Sequence, residues 1–229
     1  MCLPIFEGTG GHKVRPYISI NSEEKQMKTA LISDIHGNYA GLMATLNDIE
    51  KCDCDRIICL GDVVEGGEKN RECFVELQQR NIPIVRGNHD EINDLSDFKL
   101  KSQLQKLPEY LVEKDILYTH ISPRKKQYSL NNNTEAWNVF DETTYKLIFV
   151  GHLHVSLIFG ENSDTPFCAK RHTFVFNRPY PLERTNRYII CVGAIGYSRS
   201  ALQKISYAIY DDTEYTIEMK AIEGPLLEL

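Results

Sequence analysis

Five of the seven histidines in this chain come directly after short apolar runs, together with carboxylates and an amide. Two of these histidines, His152 and His154, are separated by one residue in the segment VGHLHV. Asp34 and His36 show the same spacing in SDIHGN. If these segments are extended, residues i and i+2 point the same way, and each pair can reach one ion. The spacing therefore predicts metal binding.

The candidate ligands share a position just beyond a predicted strand. They are two aspartates, one asparagine and four histidines: Asp34, His36, Asp62, Asn88, His120, His152 and His154. This set is too large for one tetrahedral ion but suits two ions that share a bridging carboxylate. Nitrogen and oxygen donors without cysteine favour manganese, iron or zinc over calcium or a structural zinc site. Taken singly, each residue has an ordinary alternative, such as a helix N-cap for Asp34, so only the joint pattern favours metal.

Five apolar, β-branched runs precede these residues and predict short buried strands. They are residues 28–33, 56–60, 82–85, 115–119 and 146–150. The segments between them have helical spacing of apolar residues, as at Leu95, Phe98 and Leu104. Strands that alternate with helices predict a largely parallel α/β sheet, whose carboxyl ends form one ligand-binding crevice. After residue 155 the pattern predicts a second, more antiparallel sheet that completes a sandwich.

Composition and charge argue against several classes of protein. The chain has 229 residues, of which 42% are hydrophobic and 25% charged, as is ordinary for one globular domain. No apolar run approaches the roughly 20 residues that cross a bilayer, so no membrane association is expected. A net charge of −6 argues against a stable nucleic-acid complex. Seven cysteines, mostly in apolar runs, and an N-terminus without a secretory signal favour a cytoplasmic protein.

The ordered set SDIHGN, GDVV, VRGNHD, YTH and GHLH resembles the calcineurin-like metallophosphoesterases. The compact bacterial and archaeal phosphodiesterases and diadenosine-tetraphosphatase-like proteins are particularly similar. The resemblance implies an α/β fold, a four-layer α/β/β/α sandwich of two mixed sheets flanked by helices. Residues 27–229 are then the metallophosphoesterase domain, and residues 1–26 form an N-terminal extension.

The same resemblance assigns roles to the candidate residues. It implies that Asp34, His36, Asp62 and His154 hold one metal, and that Asp62 bridges to a second metal. The remaining ligands of that second metal are Asn88, His120 and His152. His89 resembles the family's general acid or transition-state stabiliser, and Asp90 is expected to orient its ring. Manganese is the expected metal, with iron, zinc or nickel as alternatives.

Substrate contacts follow less directly from the sequence. Arg199 and Arg124, with Lys125 and Lys126, are candidates for binding phosphate, although the RKK run also suits a solvated loop. The loops GDVVEGGEKN and GAIGYSR depart from the family's usual pattern, so the substrate is less certain than the chemistry. Residues 166–187 form either a lip over the site or a hairpin that covers a sheet edge.

Together these features predict a metal-dependent phosphoesterase that hydrolyses small phosphodiesters or nucleotides with a hydroxide activated by two metal ions. A catalytically silent metal-binding scaffold of the same fold is an alternative, as is a phosphoprotein phosphatase. Such scaffolds tend to lose the histidine of GNH or a metal ligand, and this chain keeps them all. A nuclease would need a broad basic face. The expected partner is a small phosphoester substrate, and a homo-oligomer is left open.

Overall fold

The computed structural model describes residues 18–19, 27–124 and 129–228. The described strands are β1 (Ile18–Ser19), β2 (Lys28–Ile32), β3 (Arg56–Cys59), β4 (Tyr110–Glu113), β5 (Ile116–Thr119), β6 (Leu147–Val150), β7 (Ser156–Gly160), β8 (Lys170–His172), β9 (Pro179–Pro181), β10 (Tyr188–Val192), β11 (Ile205–Asp211) and β12 (Thr216–Ile222). The described helices are α1 (Tyr39–Ile49), α2 (Asn70–Gln79), α3 (Asn88–Glu91), α4 (Phe98–Leu104) and α5 (Asn133–Glu142). Apart from Ile18 and Ser19, the predicted N-terminal extension lies outside the described residues.

The strands form two mixed sheets. The five-stranded sheet has the order β3-β2-β11-β12-β9, in which only β3 and β2 are parallel neighbours. The seven-stranded sheet has the order β1-β4-β5-β6-β10-β7-β8, in which β1–β4, β5–β6 and β6–β10 are parallel pairs. The neighbours in its remaining pairs are antiparallel.

Apolar side chains hold the two sheets face to face and the helices against their outer faces. Leu31 and Ile58 of the five-stranded sheet meet Phe149 of the seven-stranded sheet in one buried cluster. A second cluster packs α1, α2 and α4 on the outer face of the five-stranded sheet, and a third packs α5 on the outer face of the other. The predicted four-layer α/β/β/α sandwich is confirmed.

The distribution of strands between the sheets differs from the simple order expected from the sequence. Of the five predicted strands, β2 and β3 lie in one sheet, whereas β5 and β6 lie in the other. Residues 82–85 make only a parallel bridge between Ile84 and Cys59. The strands after residue 155 are also divided, because β7, β8 and β10 join the seven-stranded sheet and β9, β11 and β12 join the other. Periodicity shows that a strand is buried but does not identify its neighbour.

A local capping signal accounts for the start of α1, whereas the buried face of α4 differs from the expectation. The side chain of Asn38 caps α1 by accepting a hydrogen bond from the Gly41 amide at 2.9 Å. Phe98 was expected on the buried face of a helix, but it is 83% exposed at the first position of α4. This helix instead buries Leu100 and Leu104, which lie four residues apart on one face.

Residues 166–187 do not form a hairpin, because the two strands in this segment do not pair with each other. Strand β8 pairs with β7 at the edge of the seven-stranded sheet, and β9 pairs with β12 at the edge of the five-stranded sheet. The segment therefore crosses from one sheet to the other and covers an edge of each. No helix among the described residues is long and apolar enough to cross a membrane.

Candidate metal centre

The predicted ligands come together where loops from both sheets meet. Five of them have a left-handed backbone, with φ between 52° and 68°: Asp34, His36, Asp62, His152 and His154. The expectation that the Asp-x-His and His-x-His pairs are extended is therefore wrong. A left-handed conformation costs roughly 1–2 kcal/mol for a residue other than glycine, and such strain concentrates at functional sites.

Backbone hydrogen bonds between the loops hold these conformations. The amide of Asp34 donates to Gly61 O at 3.0 Å, and that of His36 donates to Asp62 O at 2.9 Å. The His152 amide donates to the Asp34 carboxylate at 2.9 Å, which ties the loop after β6 to the loop after β2. The two sheets are thus linked directly at the ligands.

The first cluster consists of Asp34, His36 and His154, all buried. The Nε2 atoms of the two histidines lie 3.3 Å apart, and His154 Nε2 lies 3.1 Å from Asp34 Oδ1. The Nδ1 atom of His36 donates to Glu65 O at 2.6 Å, and that of His154 donates to Tyr197 O at 3.0 Å. A carbonyl only accepts, so in each neutral ring the Nε2 atom carries a lone pair. Two lone pairs facing each other beside a carboxylate fit a shared cation.

The second cluster consists of Asp62, Asn88, His120 and His152. Its contacts are His120 Nε2 to Asp62 Oδ2 at 3.0 Å, His120 Nε2 to Asn88 Oδ1 at 3.1 Å, and His152 Nδ1 to Asn88 Oδ1 at 3.0 Å. The Nδ1 atom of His120 donates to Leu60 O at 2.7 Å, which directs Nε2 toward the two oxygens. A second-sphere carbonyl that fixes the tautomer in this way is typical of histidine metal ligands.

Asp62 lies between the two clusters. Its Oδ2 atom is 3.0 Å from His120 Nε2 and 3.8 Å from His36 Nε2, so a residue of each cluster approaches the same oxygen. Its Oδ1 atom accepts a hydrogen bond from the His89 amide at 2.9 Å. Asp62 is therefore the carboxylate that both clusters share.

The sequence profile of the calcineurin-like phosphoesterase superfamily domain matches residues 27–214. This chain belongs to that superfamily. An uncharacterised protein of Methanocaldococcus jannaschii is 29% identical over an alignment of 226 positions, which spans 85% of this chain and 86% of that protein.

Solved structures agree with this assignment. A metallophosphoesterase from Sphaerobacter thermophilus has a TM-score of 0.75 and 30% identity, with 87% of this chain and 90% of that chain covered. A hypothetical protein from Pyrococcus horikoshii has the same fold, with a TM-score of 0.65 and 18% identity. The superposition covers 86% of this chain and 88% of that chain.

The electrostatics of the phosphoesterase centre are those of a site that attracts cations. Burial favours the neutral form of Asp34, but its interactions with His154, His120 and His36 outweigh burial, and the pKa of Asp34 is lowered. The pKa of Asp62 is also lowered, because the charge of His120 outweighs burial. Burial lowers the pKa values of His36 and His152. These shifts favour anionic carboxylates and neutral imidazoles, the forms that bind metals.

His120 differs from the other histidines. Burial opposes its charged form, but the Asp62 carboxylate outweighs burial and raises the pKa of His120 to about 9. In the metal-free protein a proton therefore occupies the position between His120 and Asp62. A divalent cation at the second cluster would replace that proton.

His89 lies beside both clusters, and its ring is 40% exposed. Its ring centroid is 5.1 Å from that of His36 in an edge-to-face arrangement. The Nδ1 atom lies 2.5 Å from Glu65 Oε2. Glu65 was not predicted from the sequence, where the only signal was an acidic residue in the loop after Asp62.

Asp90 does not contact the His89 ring, contrary to the expectation from the family resemblance. Its buried carboxylate accepts hydrogen bonds from the amides of Asp62 at 2.8 Å, Val63 at 2.9 Å and Gly87 at 2.9 Å. Burial, followed by the charge of Asp62, raises the pKa of Asp90 to about 6. Asp90 thus joins the loop after β3 to α3. The contact with the His89 ring that was expected for Asp90 is made by Glu65.

The two candidate substrate arginines have different surroundings. Arg124 pairs with two carboxylates of α5, Glu135 at 2.6 Å and Glu142 at 2.8 Å, so the structure does not support its predicted contact with phosphate. Lys125 and Lys126 lie outside the described residues. The Arg199 amide donates to His154 O at 3.1 Å, and the charge of Arg199 acts on Tyr197, whose ring centroid is 4.2 Å from that of His154. Arg199 therefore lies at the edge of the first cluster.

Proposed function

We propose that this protein hydrolyses small phosphodiesters or nucleotides with the help of two divalent metal ions, of which manganese is the expected one. The observation that carries the proposal is the pair of Nε2 atoms of His36 and His154, which lie 3.3 Å apart with their lone pairs facing each other. His36 Nε2 is also 3.8 Å from Asp62, the carboxylate that the second cluster shares. Such a donor set has no apparent purpose in a purely structural core.

Each cluster would hold one ion, and Asp62 would contact both. Two such ions supply a water of lowered pKa and neutralise the charge of the phosphoryl oxygens. Imidazole nitrogens with carboxylate and amide oxygens suit manganese, and iron, zinc or nickel are compatible with the same donors. The carbonyls of Glu65, Leu60 and Tyr197 orient the ligand rings, so these rings need little rearrangement.

His89 is placed to act on the leaving oxygen of the ester. Glu65 accepts a hydrogen bond from Nδ1, and this leaves Nε2 to face a substrate. A carboxylate on the far side of the ring fixes its orientation, so Nε2 is directed away from Glu65 and toward the ester oxygen. Asp62 also accepts from the His89 backbone amide, so the general acid and the ligands are held by the same residue.

Arg199 would bind a non-bridging phosphoryl oxygen. Its backbone amide donates to His154 O at 3.1 Å, and its charge acts on Tyr197, whose ring lies against that of His154 in the first cluster. A guanidinium in this position can form charge-assisted hydrogen bonds to phosphate. We also propose a cytoplasmic location, since the thiols of Cys59, Cys73 and Cys191 are buried and unpaired.

The test is hydrolysis of a chromogenic aryl phosphodiester by protein stripped with chelator and reloaded with manganese(II). We expect metal-dependent turnover that is lost in Asp62→Asn and strongly reduced in His89→Ala. Metal content, measured in parallel, should fall only in Asp62→Asn. His172→Asn is the matched control, because His172 lies on β8 and its ring bonds to Tyr180 instead of the clusters.

One result would contradict the proposal. If the protein binds two ions per chain but hydrolyses neither aryl diesters, aryl monoesters nor nucleotides, the metal-binding scaffold becomes the better account.

A further inference from the structure

A cavity of about 560 Å³ opens beside the second cluster and shares Asn88 and His120 with it. Leu117 and Thr119, alternate residues of β5, face it from the outer side of the seven-stranded sheet. Pockets for small ligands usually have volumes of about 300–1,000 Å³. The cavity is therefore large enough to hold part of a substrate whose phosphoryl group lies at the metal centre.

Part of the cavity wall is aromatic and aliphatic. Tyr110 and Tyr145, both half-buried, line it together with Ile121 and Pro123. Ile92 stands at the rim and is 80% exposed. A flat organic group in the cavity would remove this apolar surface from water and contact the faces or edges of the tyrosine rings.

The charged side chains of the cavity do not favour an additional phosphate. Apart from His120, the described lining residues with ionisable groups are Arg86, Glu91, Glu109 and the two tyrosines. The buried Arg86 guanidinium donates to Glu109 Oε1 at 2.8 Å and lies 3.6 Å from Glu91 Oε1. The two carboxylates outnumber the single cation, so these side chains carry a net negative charge that repels a second anionic group. An uncharged group is not repelled.

We infer that this cavity binds an uncharged aromatic ester group of about nucleoside size, attached to the phosphoryl group that reacts at the metal centre. This inference rests on the proposed phosphoesterase function and narrows its substrate. The preferred ester carries one phosphoryl group and one bulky ring system. A polyphosphate chain does not fit the charges of the described cavity residues.

The experiment compares two diesters with the same leaving group, thymidine 5′-(4-nitrophenyl phosphate) and methyl 4-nitrophenyl phosphate. We expect kcat/KM of the manganese-loaded protein to be higher for the thymidine ester by about tenfold or more, the order that stacking on an aromatic side chain supplies. Tyr110→Ala should lower kcat/KM for the thymidine ester more than kcat/KM for the methyl ester, and so remove most of this preference. Equal kcat/KM for both esters in the native protein would overturn the inference.

Two further variants guard against a folding defect in Tyr110→Ala. Ile92→Glu replaces an apolar side chain at the exposed rim by a polar one and should reduce the preference for the thymidine ester. Phe98→Ala removes an equally exposed apolar side chain that does not line the cavity, and it should leave both rates unchanged. A loss of preference in Phe98→Ala equal to that in Ile92→Glu would also count against the inference.

Binding of thymidine itself, followed by ligand-observed NMR, separates this inference from the proposed function. If neither ester is hydrolysed but thymidine binds the native protein and not the Tyr110→Ala and Ile92→Glu variants, the hydrolytic function fails and the cavity assignment stands. If both esters are hydrolysed at equal rates and thymidine does not bind, the function stands and the cavity assignment fails.

Discussion

The Nε2 atoms of His36 and His154 face each other at 3.3 Å, while the Nδ1 atom of each ring donates to a backbone carbonyl. Neither ring can relieve the contact by changing its tautomer without losing that bond, because a carbonyl cannot donate. A cation between the two nitrogens removes the repulsion. The arrangement therefore links metal binding to the stability of the folded protein.

Manganese(II) should stabilise the protein against heat. At about 100 times the dissociation constant it should raise the free energy of unfolding by about 2.7 kcal/mol, because it binds only the folded chain. For a chain of this size the expected rise in Tm is about 5–10 °C. Differential scanning calorimetry of His154→Ala should give a smaller rise, whereas His172→Asn should match the native protein. An unchanged rise in His154→Ala would exclude the first cluster as a metal site.

Metal binding should also release a proton from His120. The pKa of His120 in the metal-free protein is raised to about 9, because the charge of Asp62 outweighs burial. Below pH 9 the ion must displace this proton, so metal affinity should fall as the pH is lowered, and the competition should end above pH 9. Calorimetry at pH 8 in two buffers with different ionisation enthalpies measures the release. His120→Asn should lack it, and an equal release in that variant would contradict the assignment.

Glu65 should affect turnover without affecting metal content. Its carboxylate bonds to His89 Nδ1, whereas only its backbone carbonyl contacts the ligand His36. We expect Glu65→Ala to lower kcat by about 10²-fold, within the range for loss of general acid assistance, with KM nearly unchanged. Glu65→Gln keeps an oxygen acceptor and should lose less activity. Loss of a metal ion from either variant would show that the side chain acts on the ligands instead.

Asp90 should matter for stability. Its carboxylate accepts three backbone amides, and an asparagine amide group would turn a donor toward one or more of them. Asp90→Asn should therefore cost about 1–3 kcal/mol in the free energy of unfolding, measured in urea. Asp94→Asn, at an exposed position nearby, should change it by less than about 0.5 kcal/mol. Equal effects would mean that these hydrogen bonds contribute little.

The two arginines should give opposite results in steady-state kinetics. Arg199→Ala should raise KM for an aryl phosphodiester by about tenfold, as expected when a hydrogen bond to a charged group is lost. Arg124→Ala should leave KM within about twofold, because Arg124 already pairs with Glu135 and Glu142. The reverse order would restore Arg124 as the substrate contact that the sequence suggests.

The sequence by itself determined the family, the layered sandwich and the residues that meet at the centre. Each candidate ligand follows an apolar run, and chain segments that leave buried strands at one rim bring their first polar residues together. The polar residues after these strands still come together although β2 and β3 lie in one sheet and β5 and β6 in the other. The reason is that the ends of both sheets meet at the metal centre. Local order along the chain was therefore sufficient to find the site.

Only the tertiary structure decided which polar side chains form hydrogen bonds or ion pairs with each other. The hydrogen bond between Glu65 and His89 joins residues that are 24 positions apart in the chain. Asp90 accepts hydrogen bonds from the amides of Val63 and Asp62, which precede it by 27 and 28 positions. The pairing of Arg124 with α5 and the left-handed conformations of the ligands likewise depend on contacts between distant segments. Periodicity and spacing describe the burial of a residue relative to its neighbours in the chain. They carry no information about which polar group lies opposite once the layers have packed.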